Sequence, residues 1–179
     1  VDIFPLLNQF LGAMIKPVAV HNGLIDKIIG DAVMAVFGLN DNGNYKAEAI
    51  QAGIEMIEAV SEIADQIRES GIANESVMGL GVGVASGQVA VGVLGGDRRR
   101  SFSVIGHRVN LASRLEGQAR PGEILVDVAS WEAMNDSNLN FNLTDLWLKG
   151  LTRPVPAMSY FPIRSDSSNA VPLVPEKAV

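Results

Sequence analysis

Two apolar runs, Leu24–Ile29 and Ala32–Phe37, flank the pair Gly30-Asp31. Short runs of this kind, joined by two turn-forming residues, read as a β-hairpin. The turn leaves a carboxylate exposed at the end of the sheet, where a hard cation would find an oxygen donor. Lys27 lies inside the first run, four residues before Asp31 and among apolar neighbours, out of place for a plain surface lysine. Each residue also has a simpler reading. Gly-Asp is a common turn pair, and a strand lysine can snorkel its ammonium into water.

The chain has 179 residues, enough for one substantial α/β domain and too few for two ordinary ones. With 47% hydrophobic and 19% charged residues, it has the composition of a globular protein. The absence of cysteine excludes a disulfide framework, a thiolate metal site and a cysteine nucleophile. No apolar run approaches the roughly 18 residues of a membrane span, and no signal-peptide pattern opens the chain, so a soluble, cytoplasmic domain is expected. The net charge of −6 argues against a nucleic-acid binder. Six arginines, Arg98, Arg99, Arg100, Arg108, Arg114 and Arg120, nevertheless fall in one stretch whose only acid is Glu116. That local field suits a polyphosphate, and it also reads as a solvated patch.

Ile3, Leu6, Leu7, Phe10, Leu11, Met14 and Ile15 recur at helical spacing, with Asp2 as the cap and Pro5 in the first turn. His21-Asn22-Gly23 ends that helix, with Pro17 bending its last turn. After the hairpin, Asn40–Asn44 leads into a helix whose inner face is Ala47, Ile50, Ile54, Ile57, Val60, Ala64 and Ile67, closed by Gly71. Alternation at Leu80–Val84 and Val89–Val93 predicts two strands paired through Ser86-Gly87. A strand at Phe102–Ile105 precedes a helix over 107–118. Then come a strand at Ile124–Val126, a short helix near Ala129–Met134, and strands near Phe141–Leu146 and Val155–Phe161. Residues 164–179 lack periodicity and read as a tail. The pattern is α+β, helices packed on a mostly antiparallel sheet.

The segment Lys27-Ile28-Ile29-Gly30-Asp31-Ala32-Val33-Met34-Ala35-Val36-Phe37-Gly38 resembles the second metal-binding segment of class III nucleotidyl cyclases, the adenylate and guanylate cyclase catalytic domain. A second run, Ser103-Val104-Ile105-Gly106-His107-Arg108-Val109-Asn110-Leu111-Ala112-Ser113-Arg114-Leu115-Glu116, matches the same family in its order and spacing. The resemblance spans roughly residues 5–163 and is most like bacterial adenylate cyclases. It implies a ferredoxin-like βαββαβ sandwich, with residues 1–163 as the cyclase homology domain.

By this resemblance Asp31 holds divalent ions, two Mg²⁺ or Mn²⁺ per site, that activate the ribose 3′-hydroxyl and bind the triphosphate. Lys27 donates to an adenine ring nitrogen, which favours ATP over GTP, and Ser103 completes recognition of the base. Serine stands where relatives carry aspartate or threonine, and its hydroxyl accepts and donates. Asn110 and Arg114, four apart on one helix face, orient the ribose and stabilise charge on the reacting phosphate. Without the match each is an ordinary helix-surface residue. Lys149, in Leu148-Lys149-Gly150, reaches the terminal phosphates.

The implied activity is adenylate cyclase, ATP to 3′,5′-cyclic AMP and pyrophosphate, in a head-to-tail homodimer. Regulatory input then lies in other domains, and this segment contacts neither nucleic acid nor membrane. The family's first metal aspartate lies on an opening strand that precedes the first helix, and the sequence shows no such strand. The expectation is a longer polypeptide that supplies it. The alternatives are a cyclase-like nucleotide-binding or dimerisation module without turnover, and a guanylate cyclase.

Overall fold

The computed structural model describes residues 3–40, 43–70, 79–96, 99–134 and 138–162. Expectations for Asp2, Gly71, Arg98 and the tail at 164–179 lie outside these residues. Helix α1 spans Phe4–Val20, with Pro5 in its first turn and Pro17 carried within it. Its N-cap position is Ile3, whose side chain makes no cap bond. Asn22 ends the helix at φ 58°, which lets the Gly23 N–H reach Val18 O at 2.8 Å.

Strands β1 (Leu24–Ile29) and β2 (Ala32–Val36) form the expected hairpin. Gly30 sits at φ +65° with open space where a Cβ would be, so the turn needs glycine for its backbone angle and not for room. Helix α2 (Tyr45–Glu69) starts on an Asn44 cap and buries Ile50, Ile54, Ile57, Val60 and Ala64. Ala47 and Ile67, at the ends of the expected stripe, are only half-buried.

The central sheet runs β3 (Val82–Val84), β6 (Ile124–Asp127), β8 (Val155–Tyr160), β7 (Asn142–Leu146). β3 and β6 are parallel, and the other two pairs are antiparallel. Along β6 alternate side chains face opposite ways, as the pleat dictates. Ile124 and Val126 pack on Ile50, Ile54 and Ile57 of α2, and Leu125 packs on Leu115 of α3 (His107–Glu116). A second apolar cluster joins Met14 and Val18 of α1 to Met56 and Val60 of α2, under Val33 and Phe37 of the hairpin. A four-residue helix, α4 (Val128–Trp131), follows β6 and is shorter than the spacing suggests.

One expected pairing is wrong. Residues 80–84 and 89–93 do not form a hairpin through Ser86-Gly87. β3 pairs with β6, while β4 (Ala90–Gly96) pairs with β5 (Arg99–Ile105) as a separate ribbon. The cause lies far along the chain: the Ser86 N–H donates to the buried Asp127 carboxylate at 3.2 Å, which ties the segment after β3 to the end of β6.

Candidate functional site

Strand β1 carries a bulge. Ile25 stands opposite Ala35 and Lys27 opposite Met34, so Asp26 is an extra residue without a rung of its own. In a regular strand, neighbours point to opposite faces. A bulge re-aims them, and here the Lys27 ammonium meets the Asp26 carboxylate directly. The Asp26 side chain has no solvent exposure, whereas that of Lys27 keeps 39%. Lys27 Nζ also donates to Ser103 Oγ on β5 at 3.2 Å. Two residues 76 apart in sequence, both expected to contact one base, are therefore in contact.

Helix α3 carries Asn110 and Arg114. It rests on β3 at Gly83, where a Cβ would lie 2.3 Å from both Ala112 O and Glu116 N. No side chain fits there, so helix backbone meets strand backbone and the depth of α3 is fixed. Leu115 is fully buried on the inward face, and Asn110 is exposed. Half-buried Arg114 has no side-chain hydrogen bond or ion pair among the described residues. Its Nη2 would stand 3.8 Å from a Cβ at Gly150. The Lys149-Gly150 turn is thus beside Arg114, anchored by Leu148, which joins the Leu115 cluster. Lys149 is exposed. These contacts place the expected triphosphate lysine next to the expected transition-state arginine.

Asp31 projects from the exposed hairpin tip. As a carboxylate without a partner among the described residues, it fits one ligand position of a hard divalent ion. No group of three or more His, Cys, Asp or Glu that could hold a metal forms among the described residues. Nor does a hydrogen bond or ion pair link Asp31 to Asn110 or Arg114 among them.

The arginine-rich stretch is less free than its sequence suggests. Arg108 donates to buried Asp127 at 3.4 Å, and Asp127 also caps α4 through Ser130 N at 3.1 Å. Arg120 forks onto Glu123 at 3.0 and 3.2 Å, with Ser159 donating to the same carboxylate. Burial pushes the Glu123 carboxyl up, but the hydrogen bonds from Arg120 and Ser159 outweigh it and hold the group below the usual carboxylate range. Arg114 stands apart from both pairs.

A cavity of about 330 Å³ lies between the hairpin and β3, lined by Val33 and Val36 on one side and Gly81, Val84, Arg108 and Glu116 on the other. Among the described residues, β2 pairs only with β1 and β3 only with β6.

Asp26 and Gly83 are the positions that the motif reading passed over. An acid beside a lysine inside Leu24-Ile25…Ile28-Ile29 was a visible signal for the first. Nothing in Gly81-Val82-Gly83 distinguishes the second before α3 is placed.

Residues 1–158 match the family model described as the adenylate and guanylate cyclase catalytic domain. An adenylate cyclase of Anabaena cylindrica is 40% identical over 121 residues, covering 65% of this chain and 23% of that protein. The chain therefore spans about a quarter of the length of that relative. The adenylyl cyclase CyaB from P. aeruginosa superposes with a TM-score of 0.75 at 32% identity, covering 92% of this chain and 85% of that one. The guanylyl cyclase Cya2 superposes equally well, with a TM-score of 0.76 at 29% identity over 88% of this chain and 79% of that one.

Proposed function

The chain belongs to the family of adenylate and guanylate cyclase catalytic domains, and we propose that within it residues 1–163 form a cytoplasmic adenylate cyclase domain. The observation that carries the choice of base is the Lys27–Ser103 contact at 3.2 Å. An ammonium only donates, and adenine offers an unprotonated ring nitrogen where guanine carries an N–H. With one N–H on Asp26 and one toward Ser103, Lys27 keeps a third donor for that nitrogen.

In the reaction the ribose 3′-oxygen forms a bond to the α-phosphorus, the hydroxyl loses its proton, and the bond to the pyrophosphate oxygen breaks in line. Asn110 orients the ribose. Arg114, with no other partner among the described residues, lays its guanidinium against the phosphoryl oxygens as their charge grows. Lys149, on the neighbouring turn, binds the terminal phosphates. Mg²⁺ or Mn²⁺, with Asp31 among its ligands, supplies charge neutralisation when bound. Each site is shared by a head-to-tail pair of chains, with Asp31 from one and Lys27, Ser103, Asn110 and Arg114 from the other. Among the described residues no hydrogen bond or ion pair links Asp31 to the α3 pair within one chain, in accord with this division. Among the described residues no helix is long and apolar enough to cross a membrane.

A second reading, turnover of GTP, draws on Ser103, whose hydroxyl can also donate to a guanine carbonyl. The full protein is assayed for cyclic AMP and cyclic GMP from ATP and GTP with either ion. A higher kcat/KM for ATP that falls in Lys27→Glu upholds the adenylate reading. A ratio that does not move on this substitution removes Lys27 from base selection.

A further inference from the structure

The Asp26 carboxylate is wholly buried, and only one of its oxygens is engaged, by the Lys27 ammonium. Its other oxygen, Oδ1, is buried without a hydrogen-bond partner among the described residues. An ion pair between sequence neighbours needs the bulge at Ile25–Lys27, because a regular strand would send the two side chains to opposite faces. A buried charge stripped of its counter-charge is costly. Among the described residues Lys27 is the only group that neutralises Asp26, so the ammonium cannot swing away to follow a ligand without stranding that carboxylate. Lysine is otherwise a flexible point charge with many rotamers. Here it is held by Asp26 behind and by Ser103 beside, with a single donor left to face outward.

We propose that Asp26 is a positioning residue for base selection: it fixes the Lys27 ammonium so that its remaining N–H meets a ring acceptor and repels a ring N–H. The idea rests on the reading of Lys27 as the base-contacting residue. It adds that discrimination comes from the rigidity of the donor and not only from its charge. A loose lysine would turn away from guanine, whereas a clamped one cannot.

The test compares equilibrium binding of 3′-deoxy-ATP and 3′-deoxy-GTP, which lack the attacking hydroxyl, to the full protein carrying Asp26→Asn, Lys27→Met or both. Asp26→Asn should narrow the adenine-to-guanine affinity ratio about tenfold, within the usual coupling range for contacting side chains. In the Lys27→Met background the same substitution should leave the ratio unchanged, because its effect passes through the ammonium. An unaltered ratio in a folded Asp26→Asn protein overturns the proposal, as does an equal change with and without Lys27. If Asp26→Asn does not fold, Asp26→Ser takes its place, and an unaltered ratio in that folded protein overturns the proposal. The direction of preference in the unaltered protein tests the ATP reading separately. A protein that prefers guanine refutes that reading, while the ratio's response to Asp26→Asn still decides the role of Asp26.

Discussion

Replacing Gly83 by alanine should damage activity from a position where no substrate contact is assigned. The added Cβ would lie 2.3 Å from Ala112 O and Glu116 N, against the roughly 3.5 Å at which carbon makes favourable contact. Both obstacles are backbone atoms of α3, so no side-chain rotation relieves the clash. The helix must retreat by about 1 Å. Overpacking of this kind costs about 1–3 kcal/mol, which for a domain of this size lowers Tm by roughly 2–10 °C. The larger effect should be catalytic. Asn110 and Arg114 move with the helix, and a misplacement of about 1 Å can cost on the order of 100-fold in rate. The assay is steady-state nucleotide cyclisation beside a thermal melt, with Gly92→Ala as the control because a Cβ there meets nothing within 4 Å. A Gly83→Ala protein within about threefold of full kcat, with an unchanged melt, would refute the claim that this contact sets the reach of α3.

Arg114→Ala should lower kcat by roughly 10²–10³-fold with a small change in KM, the pattern of a donor used mainly in the transition state. Arg114→Lys should recover only part, and steady-state kinetics showing a raised KM at normal kcat would make Arg114 a ground-state contact instead. Mixing inactive Asp31→Ala with inactive Arg114→Ala chains should restore activity, since one hybrid site keeps both residues; silence despite demonstrated subunit exchange would place each site within one chain. Glu123 predicts a pH effect on stability. Its folded pKa lies below the unfolded value of about 4.3, so its contribution is full above that value and disappears as pH falls through the folded one. Glu123→Gln should therefore be less stable at pH 7 and show a flatter loss of Tm below about pH 5. Parallel melting curves for the two proteins down to pH 3 would contradict this.

The elements that sequence reading recovers are those whose signals are local. The 3.6-residue spacing from Ile50 to Ala64 marks α2, and Gly30-Asp31 between apolar runs marks the first hairpin. Pairings over long separations were less accessible. Nothing near Val82 announces a partner at Ile124, and the alternation at 80–84 and 89–93 fits a hairpin as well as it fits two strands in different sheets. The buried carboxylate that settles the matter, Asp127, lies 41 residues from the Ser86 N–H it binds. The same limit applies to charge. Arg108 and Arg120 look like part of one basic field until Asp127 and Glu123 fold back onto them. Asp26 was hidden for a different reason. A one-residue bulge inverts the facing of every residue on one side of it, and strand periodicity alone does not locate such an irregularity.

Lys27 and Ser103, assigned to the base, stand on different elements from Asn110 and Arg114, assigned to the ribose and the reacting phosphate. Lys27 and Ser103 belong to two ribbons, β1–β2 and β4–β5, that are not strands of the four-stranded sheet. Asn110 and Arg114 ride on a helix pressed backbone to backbone against that sheet. No side chain of the Leu115 cluster comes from either ribbon among the described residues. The position of Lys27 is therefore set by the bulge in β1 and its contact with Ser103, and the reach of Asn110 and Arg114 by the packing of α3 on Gly83, so the two pairs answer to different contacts in the fold.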